Sequence, residues 1–307
     1  MLRALLELCR ISNLPTVWTN VIAAWVIAGG GWHWHPHLAW LLVGASLMYS
    51  AGMILNDTWD VAWDREKRPE RPIPSGRISL KAAWAIGIGG LLGGYALMVL
   101  AGGAGWGITA ALMAAIVLYD VYHKPWAGSV VVMGACRALL YAVPILPAQN
   151  AATGLWPHTP HGNDLSSVVF VAGITLGVYV VALTLIARAE GKGSMGQNHR
   201  NSLTALLMLP AAWAGVLAIL TVIQPHLRLA SLLAIGAPLA FFIAWTLNAL
   251  RQMRKGGPSI GQAVGLLLAG IPLVDAINIS LAEPATALAF CLLPPLLRYW
   301  QRWVAAT

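Results

Sequence analysis

A succession of apolar runs, each about as long as a bilayer is thick, constrains this chain more than any other feature. They occupy roughly 14–31, 38–55, 81–101, 104–121, 128–148, 167–187, 203–223, 229–250 and 260–281, and a shorter run, 284–299, contains Pro294-Pro295. About 20 apolar helical residues span the hydrocarbon of a membrane, where a helix satisfies its own backbone. The runs predict an all-α, polytopic bundle of nine transmembrane helices, with the shorter run a candidate for a short tenth. Composition agrees: 58% of residues are hydrophobic and 10% charged, where soluble proteins carry roughly a quarter charged. A soluble enzyme, a disordered chain and a disulfide scaffold are excluded. The longer polar connections are 56–80 and 188–202, and residues 1–307 read as a single transmembrane domain. Cys9, Cys136 and Cys291 have no C-x-x-C spacing and read as small apolar residues. The opening stretch, charged and interrupted by Pro15, carries no pattern of a cleavable signal.

Nineteen Lys and Arg against eleven Asp and Glu give a formal charge of +8. With no soluble face to present, this basicity does not indicate nucleic acid. It fits a cytoplasmic membrane surface, membrane lipid and anionic substrates. If the N-terminus is cytoplasmic and the loops alternate, Arg3, Arg10, Arg65, Lys67, Arg68, Arg71, Arg77, Lys81, Lys124, Arg188, Lys192, Arg200, Arg251, Arg254 and Lys255 all fall inside. Arg228 falls outside, Arg137 lies within a span, and Arg298 and Arg302 fall inside only if the tenth segment crosses. The expected location is therefore integral and multi-pass in the cell's inner membrane, N-terminus cytoplasmic.

Immediately after the second run come Asn56, Asp57, Asp60 and Asp64. On a continuing helix the three aspartates fall at i, i+3 and i+7 and share one face. Like charges so close need a cation, and hard oxygens suit Mg²⁺, which completes its shell with water and phosphate oxygens. The plain alternative is a solvated acidic turn neutralised by neighbouring arginines. A loop stiffened by Pro69, Pro72 and Pro74 follows, carrying Arg65, Lys67, Arg68, Arg71 and Arg77. Carboxylates, a metal and guanidinium groups together are what a diphosphate requires.

The string Asn56-Asp57-x-x-Asp60-x-x-x-Asp64, followed by Arg71-Pro72-x-Pro74-Ser75-Gly76-x-Ile78-Ser79, resembles the first signature of the UbiA superfamily of intramembrane prenyltransferases. Arg10 and Asn13 also sit where members often carry an arginine and an asparagine. The resemblance implies a helical bundle around a central cavity and Mg²⁺-dependent transfer of a prenyl group from its diphosphate to a lipophilic or aromatic acceptor. It implies that Asp57, Asp60 and Asp64 bind Mg²⁺ and diphosphate, with Asn56 assisting. Tyr119-Asp120-Val121-Tyr122-His123-Lys124 is similar to the family's Tyr-x-x-x-Lys segment. Lys124 would hold diphosphate, and the Tyr119 ring would face an allylic cation. An interfacial aromatic beside a snorkelling lysine is the other reading. Arg68 or Arg71 is expected on the diphosphate. Arg137, some nine residues into a span, is expected to face a polar cavity or a partner.

The chain departs from the family at the second aspartate motif. No aspartate occurs from Leu165 through Val274, and the relevant loop offers Arg188, Glu190 and Lys192. Three readings stay open: Glu190 is a metal ligand, Arg188 and Lys192 replace a metal's charge, or the chemistry is lost or altered, leaving a lipid-binding or transport protein. In this respect the chain is similar to a divergent EboC-like branch. Asp275, inside the ninth run with Asn278 three residues on, reads as a partner of Arg137, an acceptor-orienting group or a structural ion pair. His33, His35, His37, His158 and His161 read as wet loops rather than zinc ligands.

Overall fold

The computed structural model describes residues 2–152, 162–189, 197–223 and 228–303, which form helices and turns without a strand among them. Among the described residues, eight helices are long and apolar enough to cross a membrane: α1 (Ile11–Gly30), α2 (Pro36–Trp59), α3 (Leu80–Ala101), α5 (Ser129–Ala151), α6 (Ser166–Ala189), α7 (Asn198–Thr221), α8 (Leu229–Arg254) and α9 (Ser259–Ile279). A shorter apolar helix, α4 (Trp106–Tyr122), lies between α3 and α5. The protein is an integral, multi-pass membrane protein.

Burial separates central from peripheral helices. The most apolar windows of α9 and α1 are 83% and 78% buried, against 28% for α3, α7 and α8. Because α1 touches α2, α5 and α9, it forms the hub of the bundle. Glycines set the tightest crossings. A Cβ on Gly134 of α5 would lie 2.6 Å from the Gly177 carbonyl oxygen of α6, and one on Gly94 of α3 would lie 2.7 Å from that of Gly44 in α2. In lipid, where tails are as apolar as leucine, such close backbone packing drives helix association.

The tenth segment is two helices, Pro284–Cys291 and Leu293–Trp300, each short of a span by itself. The first packs on Ile271–Ile279 and the second on Ser259–Ala269, so the chain doubles back along α9. It thereby returns to the side of the aspartates, where Gln301, Arg302 and Trp303 share a cavity with Asp57.

Candidate active site

The aspartate-bearing strand of sequence is positioned by a break. Helix α2 ends at Trp59, a short helix, Val61–Lys67, begins two residues later, and Asp60 between them has φ −85° and ψ −1°. The three carboxylates do not share one set of partners. Arg71 Nη1 lies 3.2 Å from Asp57 Oδ1 and 2.9 Å from Asp64 Oδ2, and Arg10 Nη2 lies 3.3 Å from Asp57 Oδ1. Asp60 faces the other way, with Lys124 Nζ at 2.7 Å and His123 Nε2 at 3.2 Å. Among the described residues no three His, Cys, Asp or Glu side chains stand close enough to hold a metal together.

The loop that carries Arg71 folds on its own turn chemistry. Ser75 N–H donates to the Arg71 carbonyl, Gly76 N–H to Ile73 and Ile78 N–H to Pro72, with Gly76 at φ 75° where a side chain would be strained. Ile73 and Ile78 are buried against Ala4 and Leu8 of a short helix, Leu2–Leu8, and against Ile54, which pins the loop to that helix. Ser79 caps α3 by accepting from Ala82 N–H at 3.2 Å. Arg10 is the sole non-glycine with positive φ, 45°, among the described residues. That left-handed conformation costs on the order of 1–2 kcal/mol, and it carries the guanidinium to Asp57 while the Arg10 carbonyl accepts from Tyr49.

Two chambers lie near the end of α2. The first is a polar mouth of about 560 Å³, lined by Asp57, Glu7, Glu70 and five arginines: Arg10, Arg68, Arg71, Arg77 and Arg302. The second is an apolar cavity of about 90 Å³ between α1, α2, α4 and α5, walled by residues such as Met48, Leu112, Ile116, Met133 and Leu140. Its polar lining comes from Tyr49, Tyr119, Asp120 and Arg137. Gly52 and Met53 of α2 line the apolar chamber, and Asp57, one turn on, lines the mouth.

Asn56 points away from the mouth, donating to Asp120 Oδ1 at 3.4 Å. Asn13 is buried in the first turn of α1 and hydrogen-bonds Tyr49. Arg68 lines the mouth with its guanidinium 5.7 Å from the Trp63 ring centre, and Lys124 Nζ stands 4.4 Å from the same ring. Burial pushes the Asp60 carboxyl up, but hydrogen bonds and charge from His123 and Lys124 outweigh it and hold the group below the ordinary carboxylate value. Arg188 donates to the carbonyls of Ala127 (2.8 Å) and His123 (2.6 Å) and to the Ser129 hydroxyl, bracing the α4–α5 connection. Glu190 and Lys192 lie outside the described residues, as do His158 and His161.

Arg137 lines the apolar cavity, donating to Asn20 Oδ1 at 2.7 Å and Thr16 Oγ1 at 3.1 Å. Asp275 is fully buried and does not pair with Arg137 directly. Asn20 stands between them, donating to Asp275 Oδ2 at 2.8 Å, while Tyr141 donates to Oδ1 and Asn278 to the Tyr141 oxygen. Asp275 thus sits behind the cavity wall as the counter-charge of a relay. Across the α1–α2 connection the His33 ring meets His35 edge-on and the His35 ring meets His37 at a tilt, and His37 Nδ1 meets the Ala101 carbonyl oxygen.

His123, Trp63 and Asp120 belong to this constellation although spacing alone did not single them out. The available signal was Tyr119–Lys124 as a whole, since the same helix end carries Asp120 and His123 beside Lys124.

The described residues form a membrane-protein helical bundle with an aspartate- and arginine-lined mouth one turn of α2 from an apolar cavity. The model of the UbiA prenyltransferase family matches residues 16–260, and the chain belongs to that family. Similar proteins include the digeranylgeranylglyceryl phosphate synthase of Saccharolobus solfataricus, 32% identical over 32% of this chain and 35% of the relative. The 4-hydroxybenzoate octaprenyltransferase of Methylibium petroleiphilum is 39% identical over 28% of each chain. The matched segments span about a third of the length of these relatives. A solved structure described as digeranylgeranylglyceryl phosphate synthase in membranes shares the fold, with a TM-score of 0.56 at 15% identity over 95% of this chain and 98% of the other.

Proposed function

We propose that this protein transfers a prenyl group from a prenyl diphosphate to a lipophilic or aromatic acceptor within the membrane, with Mg²⁺. The observation that carries the reading is the placing of a cationic mouth and an apolar cavity one turn apart along α2, which matches a ligand with a diphosphate head and a hydrocarbon tail. The arginines of the mouth hold the head by charge-assisted hydrogen bonds. The apolar chamber keeps water from the prenyl carbon, and the Tyr119 ring offers a π face to the cation that develops there.

The donor chemistry of the aspartates fits Mg²⁺. Arg71 Nη1 already occupies a cation position between Asp57 and Asp64, and buried Asp64 Oδ1 has no hydrogen-bond partner. Mg²⁺ binds through one or two carboxylates plus phosphate and water, so three convergent side chains are not required. Asp57 and Asp64, the pair already bridged by Arg71, would hold the ion, which would supply charge neutralisation for the departing diphosphate. The distribution of Lys and Arg supports a cytoplasmic mouth and N-terminus in the inner membrane.

The test is turnover of a labelled prenyl diphosphate by the protein in vesicles, with a panel of acceptors, in Mg²⁺ or EDTA. Label passes into a lipophilic product in Mg²⁺, and EDTA or Asp57→Asn abolishes it. One observation favours a non-catalytic lipid-binding or transport protein: Arg188, at the degenerate second loop, is engaged with backbone carbonyls rather than facing the mouth. Binding of the diphosphate without turnover across the panel would establish that alternative.

A further inference from the structure

Asp120 has no part in the reading above, and its surroundings give it one. It stands at the end of α4, 2% exposed, on the wall of the apolar cavity beside Tyr119, Cys136 and Arg137. Its Oδ1 accepts from Asn56, and its buried Oδ2 has no partner. The nearest guanidinium on that wall, Arg137, directs its hydrogen bonds to Asn20 and Thr16 instead. A carboxylate only accepts, and an unpaired buried acceptor is costly unless a ligand supplies the donor. The Tyr49 and Tyr119 hydroxyls and the Arg137 guanidinium share the chamber wall, and none of them hydrogen-bonds Oδ2, so that donor belongs to what enters the chamber.

We infer that Asp120 is the catalytic base of the transfer and that the acceptor is a lipophilic hydroxyl compound whose O–H donates to Asp120 Oδ2. This rests on the prenyltransferase reading above. In the step, the bond between the prenyl C1 and the diphosphate oxygen breaks and the electron pair leaves with diphosphate. A lone pair of the acceptor oxygen forms the new C–O bond, and the hydroxyl proton passes to Asp120 Oδ2. The protonated carboxyl is neutral in an apolar wall that solvates charge poorly, and it returns its proton to water as the ether product leaves. Asn56 is the positioning residue, fixing the carboxylate through Oδ1 and joining it to the aspartate helix.

The experiment uses the full chain in vesicles with Mg²⁺ and labelled geranylgeranyl diphosphate, with two acceptor arms: a monoalkyl glycerol and an alkylphenol. In whichever arm turns over, Asp120→Asn is expected to lower kcat for ether formation by roughly a hundredfold or more. KM for the diphosphate should change little, and consumed label should shift from ether to prenyl alcohol. Asp120→Glu should restore part of the transfer. Independently of any variant, the native protein should bind the accepted alcohol at least about tenfold more tightly than its methyl ether. Transfer by Asp120→Asn at the native rate, a product prenylated on carbon, or equal binding of alcohol and methyl ether would each overturn the assignment while leaving the prenyltransferase reading intact. No consumption of diphosphate by the native protein in either arm would instead overturn the prenyltransferase reading.

Discussion

Arg71 places one guanidinium nitrogen between two buried carboxylates, Asp57 and Asp64, and turns the acidic cluster into the edge of a cationic mouth. Removing it should weaken binding of a prenyl diphosphate by about 1.5–3 kcal/mol, roughly tenfold to a hundredfold. Calorimetry of Arg71→Ala with the diphosphate and with the matching prenyl alcohol checks this: the alcohol should bind as before, and equal losses would point to damaged packing. Asp60 gives a pH signature. Its folded value lies below the unfolded one because the His123 and Lys124 interactions outweigh burial, so its stabilisation is complete above the unfolded value, near 3.9, and is lost as pH falls through the lower folded value. Thermal melting should therefore show no Asp60 contribution to pH dependence from neutrality down to about pH 4. Below that the native protein should lose stability more steeply than Asp60→Asn. The aspartate spacing was legible in the sequence, but its partition was not. Asp57 and Asp64 meet Arg71 while Asp60 meets His123 and Lys124, and His123 lies 63 residues away from Asp60.

The transmembrane helices were legible as apolar runs because hydrocarbon permits little else, and their observed bounds extend the predicted ones by a few residues at most ends. What the runs could not state is how closely the helices approach. Gly134 and Gly177 let α5 and α6 pack backbone to backbone, and α5 carries Arg137 and Cys136 into the cavity wall. Gly134→Val should force the pair apart and cost about 1–3 kcal/mol through overpacking, read as a lower melting temperature in detergent. Gly89→Ala meets open space and should not lower it. Equal melting of the two variants would show that the crossing is not tight in solution. The broken tenth segment was similarly ambiguous in sequence, since two helices of eight residues each resemble neither a span nor a loop.

At the scale of the whole molecule the return of that segment brings both ends of the described chain to the aspartate side. Gln301, Arg302 and Trp303 line the mouth with Glu7 and Arg10. In a variant lacking Cys9, Cys136 and Cys291, single cysteines at Arg65 and at Trp303 should be labelled by an impermeant reagent from the same face of oriented vesicles. One at Gly31 should be labelled from the opposite face. Labelling of Trp303→Cys together with Gly31→Cys would place the last segment wrongly. The same compactness explains Asp275, which reads in sequence as an isolated intramembrane carboxylate. It lies 255 residues from Asn20, its hydrogen-bond donor, and the two meet only because α1 and α9 form the centre of the bundle.

The sequence by itself determined that the chain spans a membrane, which signature it carries and where carboxylates and cations concentrate along it. Those are properties of local composition and short spacing, and the solvent of each segment enforces them. Tertiary structure alone decided which charges meet. Arg188 braces the α4–α5 connection, Asn20 separates Arg137 from Asp275, and Asp120 turns an unpartnered oxygen toward no protein donor at all. Inside a low-dielectric bundle a polar group is stable only beside a complementary one, and which group that is depends on how distant helices cross.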